Sequence, residues 1–428
     1  MNSIEVPALA RVEGEGGLYI GLQDGKAVEI RLDIYEPPRF FEGFLVDRFL
    51  QEVPDITARI CGICPVAYQM SAAQALERAL DIQIKPQVRA LRRLMYCGEY
   101  IESHALHIYL LQAPDMLGKE SALELAEIAP EVVKNALRLK KIGNDILKAI
   151  GGRSVHPVNV CIGGFYRWPE TAPLTALLPD LEWGLNAARE CVKWAATLPY
   201  PDLEIDYEFV ALHHPDEYGI TEGDVWSSKG RKLSVAEYET AYIEDHVKHS
   251  NALHSHTVDG STYLVGPLAR LNLNHEQLSP AAQQALKDAN VKLPLKNPYK
   301  SLLARAIELV DVYEEAIGLI KNYKPEGSAH IELKLKAGEG AGATEAPRGL
   351  LYHRYKVDEH GLIKFAKITP PTAQNLPRIE ADLFALAPKI VKLPEAEATL
   401  TAEHLVRSYD PCISCATHFL KLKVEDVR

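Results

Sequence analysis

The sequence predicts an α+β protein that is mostly helical, with small β elements at its two ends. Three observations carry this. Apolar residues at helical spacing fill long stretches of the middle of the chain. Hairpin signals stand near both termini. No internal repeat or low-complexity linker divides the 428 residues, so one composite unit is expected. Residues 1–60 form its β-rich start and first helix, 61–325 its mainly helical body, and 326–418 a β/loop region with a C-terminal cysteine motif. Residues 419–428 form a tail. Hydrophobic residues make up 47% and charged residues 25%, which excludes a disordered or fibrous chain.

Leu18–Leu22 and Ala27–Leu32 flank Asp24-Gly25, a type I′ hairpin signal. Arg39–Gln51 is amphipathic and reads as helix. Val66–Leu80, rich in Ala, Leu and Gln, reads as a helix that follows a first cysteine pair directly. Gln87–Leu111, Ser121–Ile150 and Leu174–Leu198 read as long helices; the second ends at Gly151-Gly152 and the third before Pro199. Asp202–Asn274 mixes short strands and turns with one charged helix near Ser234–His249. Helix returns at Pro280–Ala289 and Tyr299–Tyr323. Lys336–Pro347 reads as a Gly/Ala/Glu loop, and Gly349–Val357 and Leu362–Ile368 as a second hairpin. Proline-rich Thr369–Pro377 then leads through a short helix to Ala402–Tyr409 and a second cysteine pair.

The net charge of −11 argues against nucleic acid as a partner. No apolar run approaches the ~18 residues of a membrane span. The N-terminus lacks the basic-then-apolar pattern of a signal peptide, and seven cysteines in a chain this long suggest reduced thiols in a cytoplasmic setting.

Four of those cysteines form two pairs, Cys61-Gly62-Ile63-Cys64 and Cys412-Ile413-Ser414-Cys415, 348 positions apart. Each pair holds two sulfurs close enough to chelate one metal. On spacing alone a four-thiolate structural zinc site stays open. A thioredoxin-type redox pair fits less well, because neither pair sits in a βαβ context. Cys97, Cys161 and Cys191 lie in apolar stretches and read as core residues. His213-His214 and His254-Ser255-His256 read as surface or packing histidines. Lys336–Gly342 brushes the dinucleotide fingerprint but follows no strand, so it is no nucleotide turn.

The flanks of the pairs, Arg59-Ile60-Cys61-Gly62-Ile63-Cys64-Pro65 and Asp410-Pro411-Cys412-Ile413-Ser414-Cys415-Ala416-Thr417-His418, resemble the two metal-binding signatures of the [NiFe]-hydrogenase large subunit. Further landmarks fall in order: Arg11-Val12-Glu13-Gly14, Glu42, Ser103-His104 with Asp115, Gly152-Arg153, His156-Pro157, Val265–Arg270, Ala346–Gly349, and Pro371-Thr372 with Asn375. The resemblance implies the large-subunit fold, with long central helices and small peripheral sheets, and reversible heterolytic cleavage of H2. It implies a nickel–iron centre carrying two cyanides and one carbon monoxide. Cys61, Cys64, Cys412 and Cys415 would hold nickel, with Cys64 and Cys415 bridging to iron; soft thiolates suit these metals.

By the same resemblance Glu13 is the proton relay, although on residue pattern alone Glu13-Gly14-Glu15-Gly16 reads as an exposed turn. Arg348 stands over the metals with Asp115 and Asp410 as its carboxylate partners, and Pro347 and Thr372 line the diatomic ligands. Glu42, the carbonyl of Ile368 and His418 hold an additional Mg2+ or Fe2+. Cys64–Met70, with Tyr68 where many members carry histidine, resembles the cytoplasmic, bidirectional, NADP-linked branch that includes the sulfhydrogenases. That branch implies an iron–sulfur small subunit and diaphorase subunits binding FAD and NADP, and none of NADP, FAD or an iron–sulfur cluster on this chain. Phe419–Arg428 resembles the extension that a maturation endopeptidase removes. Ten residues after His418 should be incompatible with a closed centre, so the intact chain is expected to hold its second cysteine pair away from the first. The quinone-site subunit of respiratory complex I shares the fold but lacks the nickel cysteines.

Overall fold

The computed structural model describes residues 3–417. Strands β1 (Ser3–Val6), β2 (Gly16–Gln23) and β3 (Lys26–Ile34) form an antiparallel sheet in that order. The turn between β2 and β3 holds Asp24 at φ 51° and Gly25 at φ 72°, the two left-handed positions a type I′ hairpin demands. Two short helices follow, α1 (Phe41–Leu45) and α2 (Val53–Ala58), then α3 (Pro65–Ala79) and α4 (Pro86–Leu106). A π-helical stretch, His107–Gln112, carries α4 into α5 (Ala113–Met116).

The expected helix over 121–150 is two: α6 (Ala122–Ile128) and α7 (Pro130–Gly151). Pro130 has no N–H to continue the first helix and is well placed to start the second. The 174–198 segment likewise divides into α8 (Thr171–Thr175) and α9 (Leu178–Ala196), with Pro179 in the first turn of α9. Strands β4 (Val160–Cys161) and β5 (Gly164–Phe165) pair between α7 and α8.

In the middle, β6 (Val210–His213), β7 (Asp224–Ser227) and β8 (Lys232–Leu233) make a small sheet. The charged helix expected near 234–249 is absent. A 3-10 turn, Val235–Thr240, leads instead into β9 (Tyr242–His246), which pairs with β10 (Leu253–Thr257). Tertiary pairing overrides the local preference there. Helices α10 (Pro267–Asn274), α11 (Pro280–Asp288) and α12 (Ser301–Lys321) complete the body. The first thirteen residues of α12 are all buried, so it is a central helix. It packs on α9 and α4.

The largest departure is at 336–347. The expected loop is a nine-residue strand, β11 (Gly338–Ala346), paired with β12 (Gly349–Val357), which pairs with β13 (Ile363–Thr369). A Cβ on Gly338, Gly340 or Gly342 would sit 2.2, 2.1 and 2.4 Å from the carbonyl oxygens of Ala79, Ala75 and Ser71. The alternating glycines therefore form one bare face of the strand, and that face lies directly on the backbone of α3. This packing uses the glycines that brushed the nucleotide fingerprint.

Helix α13 (Pro371–Ile390) begins inside the proline-rich segment and runs through Pro377. Then come α14 (Glu395–Ser408) and the single turn α15 (Ile413–Ala416). No described helix is long and apolar enough to cross a membrane. The main cluster of buried apolar residues includes all four motif cysteines, so the two distant pairs meet in the interior.

Candidate metal centre

Cys61 and Cys64 occupy the turn between α2 and α3. The backbone N–H groups of Ile63 and Cys64 both point at Cys61 Sγ, at 3.3 Å each. Pro65 opens α3, and the carboxylate of Glu99, on α4, accepts from Val66 N (2.7 Å) and Ala67 N (3.2 Å). Those donors have no partner within the helix, so Glu99 caps it. Cys412 and Cys415 lie around α15. Thr372 Oγ1, in the first turn of α13, accepts from Cys412 N at 2.9 Å. Glu13 binds this turn twice: its carbonyl accepts from Ile413 N (2.9 Å) and its Oε2 from Ser414 N (3.1 Å). Arg39 staples the two segments together, its Nη2 donating to Ile60 O at 2.7 Å and also to Ser414 O.

The four sulfurs converge in the interior. Sγ–Sγ distances are 3.6 Å for Cys61–Cys412, 4.0 Å for Cys64–Cys415 and 2.9 Å for Cys412–Cys415. Each cysteine is at most 4% exposed. Hydrogen bonds from the Cys412, Cys415 and Cys64 thiols pull Cys61 well below the ordinary thiol range. Bonding to Cys415 and Cys61 pushes Cys412 up, and burial pushes Cys415 up. One thiolate is thus favoured, and several together in a dry site repel one another. A bound cation removes that repulsion, so the donor set fits a soft metal. Glu13 Oε2 accepts from Cys412 Sγ at 3.0 Å.

Arg348 faces the same space. Its Nε donates to Asp410 O at 2.9 Å and its Nη2 meets Asp410 Oδ1 at 3.0 Å. Nη1 is buried with no hydrogen-bond partner among the described residues. Burial works against the guanidinium charge, but Asp410 and the Cys412, Cys64 and Cys61 sulfurs outweigh it and hold Arg348 charged. A buried, unpartnered cationic donor beside four sulfurs suits an anionic ligand.

A sequence profile described as "Nickel-dependent hydrogenase" matches residues 39–158 and 217–418, which includes both cysteine pairs. The chain belongs to the nickel-dependent hydrogenases. It is similar to sulfhydrogenase 1 subunit alpha of Pyrococcus furiosus, 35% identical over 98% of each chain. It is also similar to the NAD-reducing hydrogenase HoxS subunit beta of Cupriavidus necator, 27% identical over 98% of this chain and 95% of that one. A solved NAD+-reducing [NiFe]-hydrogenase in the H2-reduced state superposes with TM-score 0.88 at 27% identity, covering 98% of this chain and 100% of that one. The protein is a hydrogenase large subunit, the subunit that cleaves H2, and its four cysteines are suited to a nickel–iron centre.

In this hydrogenase the structure brings together Cys61, Cys64, Cys412, Cys415, Glu13, Arg348, Asp410 and Thr372. Pro347 directly precedes Arg348, and its carbonyl accepts from Arg270 Nη2 at 2.8 Å. Asp115 corrects an expectation: it does not pair with Arg348. Arg11 Nη2 lies 2.5 Å from its Oδ1, and Arg407 forks onto both oxygens at 2.8 Å. Asp115 instead braces the end of α14, three residues before Asp410. The Glu102 carboxyl also feels the Arg348 charge, and it pairs with Lys140 Nζ at 2.7 Å.

Glu42 Oε1 accepts from Ile368 N at 2.8 Å, so these two expected ligands are neighbours; His418 and the 419–428 tail lie outside the described residues. The expected displacement of the second cysteine pair does not occur. Glu13, Arg39 and Thr372 hold Cys412–Ser414 in place, and every one of those bonds is made upstream of Cys415. Burial raises Cys161 to about 11 and Cys191 to about 12, as for neutral core thiols.

Sequence reasoning missed Arg39, Glu99, Glu102, Arg305 and His107. Arg305 Nη2 stands 3.7 Å from Asp410 Oδ2. His107 Nε2 donates to Arg407 O at 2.8 Å, and burial lowers its pKa to about 3. The π-helical turn that begins at His107 marks this spot in the fold, but no local sequence pattern announces it.

Proposed function

We propose that this large subunit works in a cytoplasmic, bidirectional hydrogenase linked to NADP(H), with sulfur or polysulfide reduction as a second outlet. The nickel–iron centre, when bound, supplies the heterolytic cleavage of H2. Cys61, Cys64, Cys412 and Cys415 would hold it, their soft thiolates suiting both metals. Arg348, Pro347 and Thr372 would line the cyanide and carbon monoxide ligands of such a centre. The observation that carries the reading is the Glu13 carboxylate, 3.0 Å from Cys412 Sγ within the four-sulfur cluster. A proton on that thiol passes to Glu13 Oε2, leaving a thiolate and a carboxylic acid. Glu13 is only half-buried, so it can release the proton outward.

Arg348, fixed by Asp410, presents its unpartnered Nη1 to the site. Asp115 positions this pair through Arg407. Glu42 and the Ile368 carbonyl, with His418, would hold Mg2+ or Fe2+. Cys97, Cys161 and Cys191 do not join the four-sulfur group, so electrons leave to an iron–sulfur small subunit and on to diaphorase subunits with FAD and NADP. The Cys64–Met70 segment and the 35% identity to a sulfhydrogenase alpha subunit support this branch. A maturation endopeptidase removes 419–428, and mass spectrometry of active enzyme checks this: an intact 428-residue chain contradicts it. The branch is tested by H2-dependent reduction of NADP+, NAD+ and polysulfide by the purified complex. Preference for NADP+ is expected; preference for NAD+ overturns the branch but not the hydrogenase.

A further inference from the structure

We propose a further metal site, for one zinc-class divalent ion, formed by His249, His254 and Glu380. His249 lies in the loop between β9 and β10, His254 on β10 and Glu380 on α13. One ligand atom from each residue lies within 4.8 Å of the others. Three atoms no farther apart than that share a centre within about 2.8 Å of each. Zinc bonds to histidine and glutamate are about 2.0–2.2 Å, so closing the site takes a shift of under about 1 Å per ligand.

The ordinary reading is a surface ion pair beside a core histidine. His249 Nε2 is 2.9 Å from Glu380 Oε1, which fits that reading. His254 does not fit it. It is 5% exposed, its Nε2 is buried with no hydrogen-bond partner among the described residues, and its Nδ1 stops 4.0 Å from Glu380 Oε2, beyond hydrogen-bond length. The Nδ1 that faces the carboxylate is too far to bond it and makes no protein hydrogen bond among the described residues. A cation between His254 Nδ1 and Glu380 gives both a partner, with the ring proton on Nε2.

The surroundings are already fixed. Leu32 N donates to Glu380 Oε1 at 2.8 Å, orienting the carboxylate, and Asn251 N ties the hairpin loop to Ile34 O at 2.7 Å. Two imidazoles and one carboxylate are borderline donors that suit Zn2+ and Co2+ over Mg2+ or Ca2+. His249 is only three-quarters buried, at 24% side-chain exposure, which leaves a fourth position for water. Glu380 stands two helical turns beyond Thr372 on α13, so the ion clamps the β9–β10 hairpin to the helix that holds Cys412.

The test uses nickel-loaded enzyme, whose cysteines are occupied, stripped with a mild chelator and titrated with Co2+. In Mg2+-containing buffer, which keeps the Glu42–Ile368 site filled, the wild type is expected to take up one equivalent with the weak visible bands of nitrogen and oxygen ligation, and to melt at a higher temperature when loaded. His254→Ala and Glu380→Gln should lose that equivalent and the melting shift while keeping hydrogen oxidation. If His254→Ala fails to fold, His249→Ala at the more exposed position carries the test with Glu380→Gln. Unchanged uptake in these variants, no uptake by the wild type, or thiolate charge-transfer bands alone would overturn the site.

Discussion

Replacing Glu13 by Gln separates proton relay from structure. Glu13 Oε2 contacts Cys412 Sγ at 3.0 Å and Ser414 N at 3.1 Å, and its backbone carbonyl holds Ile413 N at 2.9 Å. The amide keeps the size, the backbone bond and one acceptor oxygen for Ser414 N–H. It loses the charge on that bond, which costs about 1 kcal/mol, the difference between charge-assisted and neutral hydrogen bonds. The α15 turn also keeps Arg39 and Thr372, so the centre should assemble. What disappears is the ability to accept a proton from the Cys412 thiol. A positioned proton acceptor contributes roughly 10²–10⁴-fold, or about 3–5 kcal/mol of barrier. Glu13→Gln should therefore lower H2 oxidation and H/D exchange with solvent by two to four orders of magnitude, with unaltered infrared bands and metal content. Near-wild-type exchange would refute the relay, and loss of the infrared bands would show that Glu13 serves assembly instead.

Cys415→Ser should abolish centre assembly, because a hydroxyl is a poor substitute for the soft thiolate that this position is proposed to share between two metals; normal nickel content in the purified variant contradicts this. Gly340→Ala should lower the urea midpoint, with a loss of about 1–3 kcal/mol, because the new Cβ meets Ala75 O at 2.1 Å and Ala79 N at 2.6 Å. An unchanged midpoint would mean that β11 does not lie on α3. Burial and the nearby Glu315 raise Asp311 to about 7 from 3.8. Its contribution to stability is complete below the unfolded pKa and fades as pH rises through about 7. Asp311→Asn keeps an acceptor for Ser279 N, which donates to Asp311 Oδ1 at 2.7 Å, and should remove this loss. The variant should gain at least about 1 kcal/mol over the parent at pH 8 relative to pH 5; equal pH profiles in denaturant melts count against it.

The N-terminal hairpin was legible because Asp24-Gly25 specifies its own turn. The helix after Cys64 and the long central helices were legible because their periodicity is local. β11 was not, because Gly338, Gly340 and Gly342 weaken a strand taken alone and gain their meaning only against α3. The helix expected near Ser234 gave way because β9 is made by its pairing with β10. At the site, the cysteine flanks and Glu13 stood out by resemblance. Arg39 and Glu99 did not, since their partners lie up to 375 positions away in sequence, and nothing local marks a staple of that kind. Asp115 shows the reverse: its motif position implies Arg348 as partner, whereas its carboxylate is taken by Arg11 and Arg407.

The central claim is that four buried cysteines drawn from the two ends of the chain hold a nickel–iron centre. Infrared spectroscopy of the purified, active complex, with metal analysis of the same sample, tests it most directly. One nickel per large subunit with cyanide and carbon monoxide stretching bands is predicted, and the nickel and the bands should vanish together in Cys415→Ser. Zinc on the four thiolates, with no such bands in protein that still folds, would contradict the account.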